Sequence, residues 1–411
     1  MFSETIKLRG HIIDSLILPK VLDEILSRGG NFKINEVKIG EHRADQSFAR
    51  IEVTAATGDA LDDLVLRLRQ HGAEVAEKAN AELAAAPDDG IFPADFYVTT
   101  NRQTFVRIEG AEVEVQRPMM DSAIAFDRAG KTARTVKFGE VRKGMLIVVG
   151  HRGVRVVPLQ RATSGTDVFG FLSATLSAER PKIAVIREVA RELEAARQAN
   201  GRIVLVAGAS LVHSGGAEYV QQLIEWGYIS LLLAGNALAV YDIESVLFGT
   251  ALGVNLERGA LVDGGHENHL RAINMMRSAG GIARAVEKGM LTGGIMHACL
   301  KNGADFLLTG SIRDDGPLPE VITDTIAAQR VIAEKVQGTT LALLLGSMVQ
   351  SFAVANLLPA TVKTLVVDIN PTAVAKLTDQ QTFQALGLVT DIEPFLRELV
   401  TCLRALRDKN K

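Results

Sequence analysis

Asp368 in KTLVVDIN, the Gly346-Ser347 pair in TLALLLGSMVQ, and Asn236, Asp242 and Glu244 after the apolar run ISLLLAGN have the types and places for chemistry. A carboxylate closing a buried strand accepts hydrogen bonds from a ribose diol and opposes a phosphate on that ribose, so Asp368 selects NAD over NADP. Its other reading is a helix cap before Pro371. Where a strand ends in Gly and a helix begins at once, the first helical amides point at an anion. Ser347, Met348, Val349 and Gln350 would supply those amides to a pyrophosphate. Asn236 has two readings: a group at a ligand-binding edge, or half of a tight Gly-Asn turn with Asp242 and Glu244 on a solvated helix face.

The remaining polar clusters are less specific. GASLVHSGG (208–216) carries glycines without the G-x-G-x-x-G spacing, so the usual dinucleotide fingerprint is absent. DFLLTGSIRDDGPLPEV places Asp314 and Asp315 in a proline-stiffened loop that can hold a ribose or an amine, or can simply be an exposed acidic turn. In DGGHENHLRAIN, His266 and His269 share a helix face. Zinc needs at least one further ligand and none is close in sequence, so no metal site is expected. The same stretch reads as a capped helix start, with a catalytic histidine left open. Neither a Ser-His-Asp set nor a nucleophilic-cysteine motif is present.

These residues need a frame. From residue 183 onward the runs RIVLVAGAS, YISLLLAGN, ADFLLTGS, TLALLLGS, KTLVVDIN and LGLVTDIE alternate with amphipathic helices. Continuous apolar strands between helices predict an α/β fold with a doubly wound parallel sheet whose polar strand ends gather at one edge. Residues 1–90 read as two strand-helix-strand units, with Leu61, Leu64, Val65 and Leu68 on one helix face, the pattern of a ferredoxin-like α+β region. Residues 91–162 predict a small β-rich region. A Ser/Thr/Gly-rich connector (162–182) leads into the NAD-binding domain, assigned to 163–411.

Composition narrows the partners. A net charge of −3 over 411 residues gives no basic excess for nucleic acid or an anionic membrane. No apolar run approaches the roughly 18 residues of a membrane span, and the amino terminus lacks a signal-peptide pattern. Cys299 and Cys402 sit far apart in apolar contexts, which suits buried thiols in a reducing compartment. A cytoplasmic enzyme acting on a small molecule fits best.

The long stretch GHENHLRAINMMRSAGGIARAVEKGMLTGGIMHACLKNGADFLLTGSIRDDGPLPE resembles the NAD-using ornithine cyclodeaminases of bacteria and archaea, the LOR/SDH conserved-domain family. LLLAGNALAVYDIE, VVDINP and FPADFYVTTNRQTFVRIEG extend the resemblance over nearly the whole chain. The family implies a deoxyhypusine-synthase-like NAD-binding sheet, a homo-oligomer and conversion of ornithine to proline and ammonia. Its NAD contacts match Asn236, Ala237, Asp315, Ser347 to Gln350, Asp368, Asp391 and Ile392. Gln350 and Ser122 depart from the His and Cys common at those places. The implied chemistry needs proton transfer as well as a hydride acceptor. Asp315 is the first candidate to organise the amine. Lys182 and His266 as catalytic groups and Asn101 as a substrate contact follow from polar placement beside Gly or Pro turns, and each also reads as structural. Alternatives are an NAD-dependent amino-acid dehydrogenase or saccharopine-type reductase, a deoxyhypusine-synthase-like transferase, and a non-catalytic NAD-sensing module.

Overall fold

The computed structural model describes residues 2–10, 12–13, 16–40, 45–75, 80–157, 182–255, 266–314, 316–381 and 385–409. It divides into two compact units: residues 1–170 with 359–361, and residues 171–358 with 362–411.

The first unit holds two sheets. β1 (Phe2–Gly10), α1 (Ile17–Ser27), β2 (Asn31–Lys38), β3 (Ser47–Ala55), α2 (Gly58–Gln70) and β4 (Glu74–Val75) give an antiparallel sheet ordered β2-β3-β1-β4. That is the split βαβ order of a ferredoxin-like sandwich. Two periodicities meet in its core. Ile6 and Leu8 alternate along β1 and Ile51 and Val53 along β3, while Leu61, Leu64, Val65 and Leu68 recur at helical spacing on α2.

The second sheet contains β5 (Glu82–Ala85), β6 (Thr104–Ile108), β7 (Ala111–Gln116), β8 (Ala123–Asp127), β9 (Thr132–Val136), β10 (Leu146–Val149) and β11 (Val154–Val156). Its order is β11-β6-β7-β9-β8-β10-β5, so a strand lying before residue 90 belongs to it. The expected boundary at 162 lies outside the described residues, as does nearly all of the 162–182 connector.

The second unit is one doubly wound sheet with its helices. In chain order it contains α3 (Lys182–Gln198), β12 (Arg202–Ala207), α4 (Ser210–His213), α5 (Ala217–Glu225), β13 (Leu231–Gly235), α6 (Asn236–Phe248), and the hairpin of β14 (Thr250–Ala251) and β15 (Val254–Asn255). There follow α7 (His266–Ala279), α8 (Ile282–Glu287), α9 (Gly294–Asn302), β16 (Asp305–Thr309), β17 (Val321–Ile322), α10 (Thr325–Lys335), β18 (Thr339–Leu345), α11 (Met348–Ala355), β19 (Lys363–Asp368), α12 (Pro371–Gln381), β20 (Ala385–Val389) and α13 (Ile392–Lys409). The sheet order is β17-β16-β13-β12-β18-β19-β20, and every neighbouring pair is parallel. With β17 set aside as an added edge, this is the 3-2-1-4-5-6 order of dinucleotide-binding folds. β12, β13 and β18 are buried almost throughout: Val204, Leu205, Leu231, Leu232, Ala342 and Leu343 are all 0% exposed. That explains their unbroken apolar sequence, since strands covered on both faces have no polar side.

No helix among the described residues is long and apolar enough to cross a membrane, and no group of three or more His, Cys, Asp or Glu among them is placed to hold a metal ion. Cys299 and Cys402 are free thiols; burial pushes Cys299 up to about 12, so it is inert at neutral pH.

Candidate active site

The parallel sheet reverses its winding between β12 and β18, and ligands of open α/β sheets bind outside the strand ends at such a switch point. Two glycines form its floor. The Gly208 amide donates to Leu345 O at 2.9 Å, and a Cβ on Gly208 would lie 2.0 Å from Gly346 O. Gly346 has φ +61°, and a Cβ there would meet Ile392 Cδ1 at 2.2 Å. Ser210 Oγ closes the same contact by donating to Gly346 O at 2.9 Å. Only glycine permits this approach of the two turns.

Beyond β18, Ser347 is extended (φ −144°, ψ 98°) and α11 starts at Met348. The first hydrogen bond back along the chain is Ser351 N–H to Ser347 O at 3.0 Å, so the amides of Met348, Val349 and Gln350 lie in the turn that has no intrahelical acceptors. Met348 is 48% and Val349 79% exposed. Gln350 Nε2 donates to Thr309 Oγ1 at the end of β16, 3.3 Å away. On the adjacent strand, Asp368 Oδ1 accepts the Asn370 amide at 2.8 Å, and Ile369 is 72% exposed. Asp368 does not cap α12. Asn370 does, with Oδ1 accepting the Thr372 amide at 2.9 Å. A turn of free amides, a strand-end carboxylate and exposed aliphatic groups suit, respectively, an anion, a diol and planar rings.

Of the other expected cofactor contacts, Asn236 and Ile392 are buried and Asp391 is exposed. Asn236 is 2% exposed; its Oδ1 accepts the Leu318 amide at 3.0 Å and its Nδ2 donates to Gly316 O at 3.5 Å. It clamps the loop after β16 onto the start of α6, while the next residue, Ala237, is partly exposed. Asp391 accepts the Ile392 amide at 2.7 Å, and Ile392 is 5% exposed against Gly346. Asp315 lies outside the described residues. Its neighbours form a self-bonded turn in which Ser311 N–H donates to Asp314 Oδ2 at 2.7 Å and Arg313 N–H to Ser311 Oγ at 3.1 Å.

Three candidates stand on other segments of the chain. Lys182 is exposed at the first turn of α3, and His266 opens α7. Asn101 belongs to the first unit, is 3% exposed, and accepts the Ala360 amide on its carbonyl at 2.9 Å. Ser122, also in the first unit, is 1% exposed and donates from Oγ to Met120 O at 3.1 Å.

Asp242 and Glu244 correct the sequence reading: neither faces solvent, and both are 0% exposed. The Asp242 oxygens accept the amides of Ile295 (2.8 Å) and Met296 (2.9 Å), the first turn of α9. A negative group is favoured at that helix end, yet burial outweighs the two bonds and raises Asp242 to about 6. Glu244 accepts the Thr250 hydroxyl (2.7 Å) and the amides of Leu252 (2.9 Å) and Gly253 (3.0 Å), and meets His269 Nδ1 at 3.3 Å. Burial works to raise its pKa, but the bonds from His269, Gly253, Thr250 and Leu252 together hold it below the usual carboxylate range. The Tyr241 ring stands edge-on to both His269 (5.4 Å) and His213 (4.7 Å). The signal for this array was present in ALAVYDIESVLF: two acids in a helix apolar all round are buried acids.

Comparison with known proteins places this geometry. Residues 187–399 match the family model "Arginine dihydrolase ArgZ-like, C-terminal, Rossmann fold", residues 103–186 its "first region", and residues 3–102 the "LOR/SDH bifunctional enzyme conserved region". An ornithine cyclodeaminase of Methanopyrus kandleri is 47% identical over 405 residues, 98% of each chain. The chain belongs to the ornithine cyclodeaminase family. Among solved members, the apo crystal structure of ArgZ, an arginine dihydrolase of cyanobacteria, matches with TM-score 0.85 and 34% identity, covering 99% of this chain. This cyclodeaminase-type chain spans 59% of that longer protein. AgrE, crystallised as a ternary complex with ornithine and NAD+, matches at 37% identity and TM-score 0.55 over 99% of this chain and 58% of its own.

Proposed function

We propose that this protein converts L-ornithine to L-proline and ammonia with NAD as its resident cofactor. The observation that carries the reading is the pairing of adjacent strand ends: the open amide turn after β18 beside Asp368 on β19. The residues fit the group. One oxygen of Asp368 is used by Asn370, and the other has no partner among the described residues, which leaves an acceptor for a ribose hydroxyl. The amides from Ser347 to Gln350 suit a pyrophosphate, and exposed Met348, Val349 and Ile369 offer apolar surface for a base. The relative AgrE, with ornithine and NAD+ bound in its crystals, supports both ligands.

When bound, NAD supplies a reversible hydride store for the α-carbon. The chain's own residues must bind, orient and move protons. Asn236 keeps the loop after β16 folded over α6. On this reading Asp315, in that loop, organises the substrate amine. Ala237, Asp391 and the Ile392 backbone line the same edge, and Lys182 and His266 remain candidates for proton transfer.

Incubating the purified protein with L-ornithine and catalytic NAD tests the reading. Proline and ammonia are expected in equal amounts with no net NADH. Ornithine deuterated at the α-carbon should yield proline that keeps the label. Proline without label, or stoichiometric NADH, overturns the closed cycle; NAD binding with no turnover of ornithine overturns the enzyme assignment.

A further inference from the structure

In GASLVHSGG, Gly208 and Ser210 shape the floor of the switch point, while the histidine of the same stretch has no role above. α4 begins at Ser210, whose Oγ is bonded to Gly346 O on the β18 side. His213 is three residues on, and residues three apart share a helical face. Its ring is open to solvent on one side and meets Tyr241 on the other at 4.7 Å between centroids. Tyr241 is 8% exposed. Behind it come His269, 7% exposed, and Glu244, 0% exposed. The row runs from a carboxylate fixed by two backbone amides and a hydroxyl to an imidazole that a solute can reach.

We propose that His213 carries protons in the ring closure of ornithine, with Tyr241, His269 and Glu244 as positioning residues that hold its ring. The inference rests on the reading given under Proposed function. Once the α-carbon is at the imine level, the δ-nitrogen must lose two of its three protons and the α-nitrogen must gain two. His213 carries them one after the other. The freed lone pair of the δ-nitrogen forms the new C–N bond. The old C–N bond breaks with its electron pair on the α-nitrogen, which departs as ammonia. One C–N bond is made and one is broken, no electrons are gained or lost in this step, and the imidazole ends as it began.

The surroundings suit a proton carrier. Partial burial pushes His213 below the ordinary histidine pKa, against the opposing pull of Glu244, so the ring is neutral and able to accept a proton near pH 7. From α13, Glu393 approaches Gly215 in this loop and is paired with Arg397 at 3.3 Å.

The test uses the full chain with NAD and L-ornithine. His213→Gln should lower kcat by about 10²–10⁴-fold, the usual weight of a proton-transfer group, with the KM for ornithine and the calorimetric Kd for NAD within threefold of parental. Added imidazole should restore part of the rate in His213→Ala. For the positioning row, Tyr241→Leu should lower kcat without changing NAD binding, and Tyr241→Phe, which keeps the ring, should recover it. Parental turnover in both His213 variants overturns the inference, as does loss of rate without imidazole rescue. If the parental protein itself makes no proline, the functional reading fails instead. Should a His213 variant not fold, the Tyr241 pair still decides, since equal rates in the Leu and Phe variants remove the positioning row.

Discussion

The two halves of the parallel sheet use their strand ends in opposite ways. On the side of β12, β13 and β16, polar groups turn back into the protein: Asn236 holds the 316–318 loop, Asp242 the start of α9, and Glu244 the β14–β15 hairpin. On the side of β18 and β19 they stay open, with first-turn amides on α11 unbonded among the described residues, the Asp368 carboxylate, and exposed Val349 and Ile369. One half is a scaffold, and on the proposed reading the other is the binding edge. The same local sequence, an apolar run ending in a small or acidic residue, serves both. What separates them is whether a distant segment arrives to take the hydrogen bond.

The largest expected effect is on the scaffold side. Glu244→Ala strands the buried amides of Leu252 and Gly253 and the Thr250 hydroxyl, and removes the partner of His269. Breaking a buried, hydrogen-bonded charge of this kind costs roughly 3–5 kcal/mol, readable as a shift of the urea midpoint at constant slope. A loss below about 1 kcal/mol would mean that the hairpin is not held by this side chain.

Acid should act on the same side. Glu194, 5% exposed, accepts bonds from Arg197 (2.9 Å), Tyr228 (2.6 Å) and Gln198 (2.8 Å). The Arg197 bond leads in lowering its pKa to about 2. The folded value lies below the unfolded one, so this stabilisation is complete above about pH 4.5 and is lost as pH falls toward 2. Its ceiling is about 3.5 kcal/mol at some 1.4 kcal/mol per unit. Unfolding free energies between pH 6 and 3 should fall more steeply in the parental protein than in Glu194→Gln, and parallel curves would refute the linkage.

Much of this was legible in the sequence. Six apolar runs predicted six strands, and each is in the sheet; the winding followed from their alternation with helices. β17 was not legible, because Val321–Ile322 is too short to show a period. The open turns of the β18 and β19 ends were legible for a local reason: Gly346, Ser347 and Asp368 shape their own turns. The buried acids were legible only through the apolar run around them, since the partners of Asp242 lie 53 and 54 residues away, and a polar helical residue read alone is assigned to water. Asn236 shows the same limit from the other direction. It is placed at the expected strand end, while its side chain serves a loop 80 residues on.

On the binding edge the effect should appear in affinity rather than stability. Asp368→Ala should weaken NAD by roughly 1.5–3 kcal/mol, the worth of hydrogen bonds to a charged acceptor, or about 10- to 150-fold in Kd, with a urea midpoint close to parental. An unchanged Kd would remove the ribose assignment and with it the contrast between the halves.

The smallest effect sharpens the contrast most, because it falls two residues away. Asn370 caps α12 through Oδ1, with amide contacts to Thr372 at 2.9 Å and Ala373 at 3.4 Å. Its own backbone amide is what binds Asp368. Asn370→Ala deletes the cap and keeps that amide, so stability should fall by about 1 kcal/mol, the usual worth of an N-cap, while the Kd for NAD moves by less than threefold. Adjacent polar residues on one strand end would then divide cleanly, one holding the helix and the other the ligand. Should Asn370→Ala weaken NAD as much as Asp368→Ala does, the carboxylate is acting through the α12 turn rather than on the ribose, and the edge is as much scaffold as the β13 side.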